Sequence, residues 1–352
     1  MIISAQHKIN IPIRKILIIQ LGDIGDVVWA IPAFRAVKVA YPAAELSVLT
    51  RNPNGDLLLA DPHISQVYQI GKEGALKDFL QLVKLHRKKF DLFFDLRADD
   101  RGTIMSYLIH AKIRAALYYP GLKLRNRAFT HLVEPLPEKE RIYGAAEQSL
   151  KIVRGFGIKE ATNIPQIFVT EELKKKTACI LDMEKVESKC GWVSINPFSR
   201  WTYKEWGMEK WRQLALFIWQ KYAMPSVIVG SATEYQRAYD LVSEAPSPMY
   251  NLAGKTTLSE ITALLQMSRL HIGVDSAAPQ IAAAVGTPTL TIYGPSDWRD
   301  WAPPGEKNKV VVPEMDCSPC YKKGCNGTER SECLETLTLA KVQNAVEQML
   351  NK

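Results

Sequence analysis

A carboxylate closes the loop Leu21-Gly22-Asp23-Ile24-Gly25-Asp26, which follows an apolar run beginning at Lys15. The third glycine of a dinucleotide fingerprint is missing, and two aspartates at a helix start would repel a pyrophosphate held there. What the loop offers is Asp26, a base able to take a proton from a substrate hydroxyl. Its alternative duty is to cap the helix and favour the helix's positive end. A second loop, Asn196-Pro197-Phe198-Ser199-Arg200-Trp201-Thr202-Tyr203-Lys204-Glu205-Trp206, combines hydroxyls, two cations and aromatic rings. That set suits a diphosphate beside a flat base, with Lys204 as the phosphate cation. Trp206 and Trp211 read instead as anchors of the helix that follows. A third segment, Asp275-Ser276-Ala277-Ala278-Pro279-Gln280, leads into the small-residue helix 281–285, closed by Gly286. Ser276 can cap it, Ala277 and Ala278 leave backbone N–H groups approachable by an anion, and Asp275 suits a ribose or sugar hydroxyl.

Four cysteines, Cys317, Cys320, Cys325 and Cys333, are spaced C-x2-C-x4-C-x7-C. A structural metal is one reading of such soft ligands, but no second C-x2-C accompanies the first, and a reduced, loop-stabilising cluster or a disulfide formed on oxidation is preferred. Cys179 and Cys190 read as unrelated thiols. Basic residues gather at 84–89 and again over 97–127, where Arg97, Arg101, Lys112, Arg114, Lys123, Arg125 and Arg127 face Asp99 and Asp100. The first group reads as the solvated end of a helix. The second suits an acceptor phosphate, gripped bidentately by arginine, or an acidic membrane surface. Nucleic acid is not expected, because no recognised binding motif accompanies the charge.

The elements that must position these residues alternate. Strand-like runs at 15–21, 45–50, 67–70 and 90–96 are separated by helical stretches, among them 26–40 and the basic 76–89. The pattern restarts with runs at 191–197, 226–230, 270–275, 289–294 and 310–312. Such alternation indicates parallel sheets of β-α-β units, whose ligands bind beyond the carboxyl ends of the strands. A length of 352 residues exceeds what one core usually serves, so two domains are expected, 1–165 and 166–352. The net charge of +8 is unevenly held: residues 1–160 carry 24 Lys/Arg against 16 Asp/Glu, and the remainder 21 against 21. The first half is therefore the one expected to meet an anionic partner. No apolar run is long enough to span a bilayer, and Pro12, Arg14 and Lys15 interrupt any signal-peptide core, so a cytoplasmic chain is expected.

Taken in order, the loop GDIGD with the helix IPAFRAVK, the K-x-W of Lys204 and Trp206, the segment GVDSAAPQIAAAVGTPTLTIYGPSD at 273–297 and CSPCYKKGC at 317–325 resemble the family 9 glycosyltransferases, the heptosyltransferases of the lipopolysaccharide inner core. The resemblance runs over nearly the whole chain. It implies an α/β GT-B architecture of two Rossmann-like domains facing a cleft, the first binding the acceptor and the second the nucleotide sugar. It further implies ADP-heptose as co-substrate with no cofactor or catalytic metal, and an anionic lipid A-core type glycolipid as acceptor, met through peripheral contact with the inner face of the cytoplasmic membrane. By position, Asp26 matches the base; Ser199, Arg200 and Lys204 match the diphosphate loop; Asp275 matches the acid near the donor sugar; and Ser276, Ala277 and Ala278 match the helix-start amides. Arg97, Arg101, Arg125 and Arg127 are the candidate acceptor contacts, and Gln280 completes the candidate donor set. The chain departs from the pattern where members commonly carry histidine in place of Gln280 and glycine in place of Ala277. Glutamine hydrogen-bonds but does not become cationic near pH 7, and alanine adds a methyl beside the phosphates. Another nucleotide sugar, a protein acceptor or a non-catalytic sugar-nucleotide or glycolipid-binding role are therefore the alternatives.

Overall fold

The computed structural model describes residues 1–3, 7–71, 74–97, 99–137, 140, 142–187 and 189–351. The chain divides into two compact units, Met1–Phe168 and Val169–Lys352. The sequence reading sets that boundary at 165/166.

The first unit holds strands β1 (Ile2–Ile3), β2 (Lys15–Gln20), β3 (Glu45–Arg51), β4 (Gln66–Ile70), β5 (Phe90–Asp95), β6 (Ala111–Leu117) and β7 (His131–Val133). Its helices are α1 (Ile24–Ala40), α2 (Ala75–Lys88), α3 (Asp100–Leu108), α4 (Lys123–Arg127) and α5 (Glu147–Arg154). All its strands are parallel, in the order β1-β7-β6-β5-β2-β3-β4. A parallel sheet covered on both faces needs continuous apolar strands. β2 supplies Ile16, Leu17, Ile18 and Ile19, and β5 supplies Leu92, Phe93 and Phe94, all fully buried. β6 escapes that description, because Lys112 and Arg114 alternate with Ala111, Ile113 and Ala115. Lys112 reaches the carboxylate of Asp91 on neighbouring β5, at 2.7 Å. Part of the basic stretch 97–127 is thus a strand.

The second unit holds β8 (Val193–Asn196), β9 (Ser226–Ile228), β10 (Met249–Asn251), β11 (Leu270–Val274), β12 (Thr289–Ile292) and β13 (Asn308–Val311). These strands are also parallel, ordered β10-β9-β8-β11-β12-β13. Its helices are α6 (Glu171–Met183), α7 (Met208–Tyr222), α8 (Tyr235–Ser243), α9 (Leu258–Met267), α10 (Ala277–Ala284), α11 (Trp298–Trp301), α12 (Glu332–Thr336) and α13 (Leu339–Leu350). Trp206 and Trp211 pack edge to face at 5.2 Å, both buried, and anchor α7 on the sheet. Thr257 and Glu260 form the capping box that starts α9.

The strand orders fix where chemistry gathers. In the first sheet the order reverses between β2 and β5; in the second, between β8 and β11. At such a switch point the loops leaving two adjacent strands diverge to opposite faces and leave a crevice at the strands' carboxyl ends. Among the described residues no helix is long and apolar enough to cross a membrane.

Candidate functional site

At the first switch point the loop after β2 meets the loop after β5. Asp26 lies in the first turn of α1, and its Oδ2 accepts the Asp23 N–H at 2.8 Å, forming a capping box. The capping role weighed from sequence is therefore real, and it holds the carboxylate in place. Arg97, leaving β5, donates from Nη1 to the same Asp26 oxygen. Arg97 also lies 3.4 Å from Asp99, which in turn holds Arg101 at 2.6 Å. Gly22 lets this happen, since a Cβ there would overlap the Asp26 carboxylate and sit 2.6 Å from the Arg97 Nη1. Asn54 pins the loop by donating to the Gly22 carbonyl at 2.9 Å. Burial raises the carboxyl of Asp26 above the ordinary aspartate value, with the Arg97 guanidinium and the Asp23 N–H pulling the other way. A carboxylate made more basic by burial, yet oriented by two donors, is suited to accept a proton.

Of the four arginines expected at an acceptor site, Arg97 stands beside Asp26, Arg101 is linked to Arg97 through Asp99, and Arg127 is exposed on α4. Arg125 is different. It is buried, its guanidinium lies 4.7 Å from the Tyr119 ring and 5.8 Å from the Phe129 ring, and Nη1 donates to the Leu117 carbonyl. These contacts hold it in the β6–α4 corner, while its Nε and Nη2 are buried with no hydrogen-bond partner among the described residues. Arg51 was not foreseen: it donates to Asp23 at 3.1 Å and adds a cation beside the loop. Its place on β3 is brought there only by strand order.

At the second switch point the loop after β8 meets the loop after β11. Lys204 Nζ lies 2.6 Å from Asp275 Oδ2. Ser199 Oγ donates to the Asp275 carbonyl at 3.2 Å, and the Ser199 N–H is held by Glu205 at 2.9 Å. Glu205 is fixed in turn by Arg237, whose guanidinium also lies 4.9 Å over the Phe198 ring. Glu205 and Arg237 are the supports that the sequence reading missed, being 32 residues apart. Arg200 is exposed, 5.9 Å from the ring of Trp201, which stacks on Tyr203 at 6.1 Å.

Ser276 occupies the N-cap position of α10 without a side-chain capping bond. Its hydroxyl donates to Asn196 Oδ1 at 2.9 Å, tying the β8 and β11 loops together. The expected cap is thus replaced by a cross-loop bond, and the Ala277 and Ala278 amides at the helix start are not served by the Ser276 side chain. Gln280 is buried and donates to the Trp301 carbonyl at 2.6 Å, holding α11. That bond directs its amide nitrogen into the fold.

Cys317 is exposed, Cys320 and Cys325 are partly buried and Cys333 is buried. The Cys333 thiol is pushed up to about 11, first by burial and then by the neighbouring Cys320, Cys325 and Cys317. Among the described residues no group of three or more His, Cys, Asp or Glu side chains is disposed to hold a metal ion.

The sequence model of glycosyltransferase family 9 (heptosyltransferase) matches residues 82–329. The chain is 27% identical over 292 residues to lipopolysaccharide heptosyltransferase 3 of Escherichia coli K12, covering 79% of this chain and 82% of that protein. In structure it is similar to a family 9 glycosyltransferase of Veillonella parvula, with TM-score 0.81 and 18% identity over 96% of this chain and 97% of the other. It is likewise similar to E. coli ADP-heptose lps heptosyltransferase II, with TM-score 0.77 and 19% identity over 96% and 98% of the two chains. The structural likenesses show the α/β GT-B fold. With a family match spanning more than half its length, the chain belongs to glycosyltransferase family 9 and is a glycosyltransferase.

Proposed function

We propose that this chain transfers heptose from ADP-heptose to a hydroxyl of the lipopolysaccharide inner core, working at the cytoplasmic face of the inner membrane and inverting the anomeric centre. The observation that carries this reading is the partly buried Asp26 carboxylate, made more basic than an ordinary aspartate and aimed by Arg97. Asp26 takes the acceptor hydroxyl proton as that oxygen forms its bond to the anomeric carbon. The bond from that carbon to the diphosphate oxygen breaks, and the electron pair leaves with ADP. Lys204, held by Asp275, keeps ammonium hydrogens for the departing phosphate, and the α10 amides face the same charge. Arg97, Arg101 and Arg127 are proposed to receive the anionic acceptor. No step draws on a cofactor; fixed electrostatics and orientation supply the rate.

Asp26→Ala in purified enzyme should lower transfer by on the order of 10² to 10⁴-fold while leaving ADP-heptose affinity nearly intact. Transfer at the wild-type rate would remove Asp26 from the role. A second reading keeps this chemistry and changes the donor. It is favoured by Gln280, neutral and bonded to Trp301. A panel of nucleotide sugars decides: turnover with a UDP-sugar and none with ADP-heptose would replace the first reading.

A further inference from the structure

The helix α2 presents a face that the transfer chemistry does not use. Leu76, Phe79 and Leu80 are 72%, 61% and 58% exposed, and their spacing places them on one side of the helix. Lys77, Lys84 and Arg87 flank them on that side, all exposed. The one acidic residue of the helix, Asp78, is engaged by the Gly71 N–H at 3.0 Å. Lys77 and Lys84 also border a groove of about 450 Å³ between α2 and the β4 edge, with room for a headgroup. His86 meets the Leu108 carbonyl at 2.7 Å, joining the end of α2 to the end of α3, on which Ile104 and Tyr107 are 54% and 64% exposed.

Single exposed apolar side chains are ordinary; a cluster ringed by cations is the pattern of an interfacial helix. The distribution over the molecule points the same way. Among the described residues, seventeen exposed large hydrophobics lie in the first unit and seven in the second. The first unit also carries the surplus charge: residues 74–128 alone hold 12 Lys/Arg against 5 Asp/Glu.

We propose that the α2–α3 face docks the protein on an anionic phospholipid bilayer, with Leu76, Phe79 and Leu80 entering the headgroup region and Lys77, Lys84 and Arg87 meeting lipid phosphates. An uncharged apolar partner would have no use for the cations, and a second copy of this basic face would be repelled by them. The proposal deepens the reading of a membrane-borne acceptor and rests on it. Its test needs neither donor nor acceptor, so its failure and the failure of that reading are separable.

The full chain is mixed with sucrose-loaded vesicles of phosphatidylethanolamine and phosphatidylglycerol, or of phosphatidylcholine alone, and sedimented. Wild type should pellet with the anionic vesicles and stay in solution with phosphatidylcholine. Lys77→Gln/Lys84→Gln/Arg87→Gln should weaken binding on the order of a hundredfold. Leu76→Gln/Phe79→Gln/Leu80→Gln should weaken it at low salt and leave a residual attraction that 0.5 M NaCl abolishes. Both variants remove only exposed side chains, and an unchanged thermal midpoint shows that each is folded. Equal pelleting of wild type and both variants, or wild-type binding to neither vesicle, would overturn the proposal. So would a wild-type dimer in solution that the apolar variant dissolves, because the face would then be a contact between copies.

Discussion

Asp26 is held between opposing influences, and that balance predicts a pH profile. Burial raises its carboxyl, while Arg97 and the Asp23 N–H lower it. A base works only when deprotonated, so transfer should fall as pH drops through the Asp26 value, and that acid limb should lie above the ordinary aspartate range. Arg97→Met removes the largest lowering influence and leaves burial opposed only by the Asp23 N–H, so the limb should move to higher pH. The check is kcat/KM against pH for both proteins with a water-soluble acceptor. An acid limb unmoved, or moved to lower pH, would mean that Asp26 is not the titrating base. The size of the loss at neutral pH is less telling, since Arg97 is also a proposed acceptor contact.

At the scale of elements, two glycines three residues apart in the GDIGD motif are there for different reasons. Gly22 is the close-approach position, and Gly22→Ala would drive a methyl into the Asp26 carboxylate and the Arg97 guanidinium. Displacing the proposed base by about 1 Å costs on the order of a hundredfold in rate, so transfer should fall by at least that much. Gly25 sits inside α1, where an added Cβ would meet the Trp29 ring at an ordinary 3.5 Å. Gly25→Ala should therefore stabilise the fold, by about 0.5–1 kcal/mol, measured by urea denaturation. The motif was legible in the sequence, but not this division of labour. The long apolar strands were legible for the same reason that they are central: β5 and β11 are buried along their whole length and β2 at every residue after Lys15. β7 and β10 span three residues each, too short for any periodicity to register. β6 was read as a basic patch because its lysine and arginine alternate outward. The site partners Arg97–Asp26 and Glu205–Arg237 depend on which strands become neighbours, and spacing along the chain carries no trace of that.

Across the molecule the same device is used twice, in units of different charge. In each, a cation from the loop leaving one strand grips an aspartate from the loop leaving its neighbour at the switch point, Arg97 to Asp26 in the first and Lys204 to Asp275 in the second. The diphosphate site proposed for the second unit would need no surplus charge, because one lysine and a helix start concentrate the field locally. Its sheet carries a separate liability on β11. His271 is wholly buried there, its Nδ1 lies 2.9 Å from Ser194 Oγ on the paired β8 strand, and burial pushes its value down to about 3. In the unfolded chain the same imidazole titrates near 6.5. Folding is thus favoured above about pH 6.5, and this contribution is lost progressively as pH falls from there toward 3, because only the unfolded state takes up the proton. Between pH 7.5 and 5 the loss is about 2 kcal/mol. His271→Gln keeps a hydrogen-bonding side chain facing Ser194 and removes the titration. Urea unfolding followed by tryptophan fluorescence should show the wild type losing about 2 kcal/mol more than the variant over that interval. The variant's own stability at pH 7.5 does not enter, since only the two pH-dependent differences are compared. Equal losses would mean that His271 is protonated in the folded protein, and that the Ser194 pairing survives in a charged form.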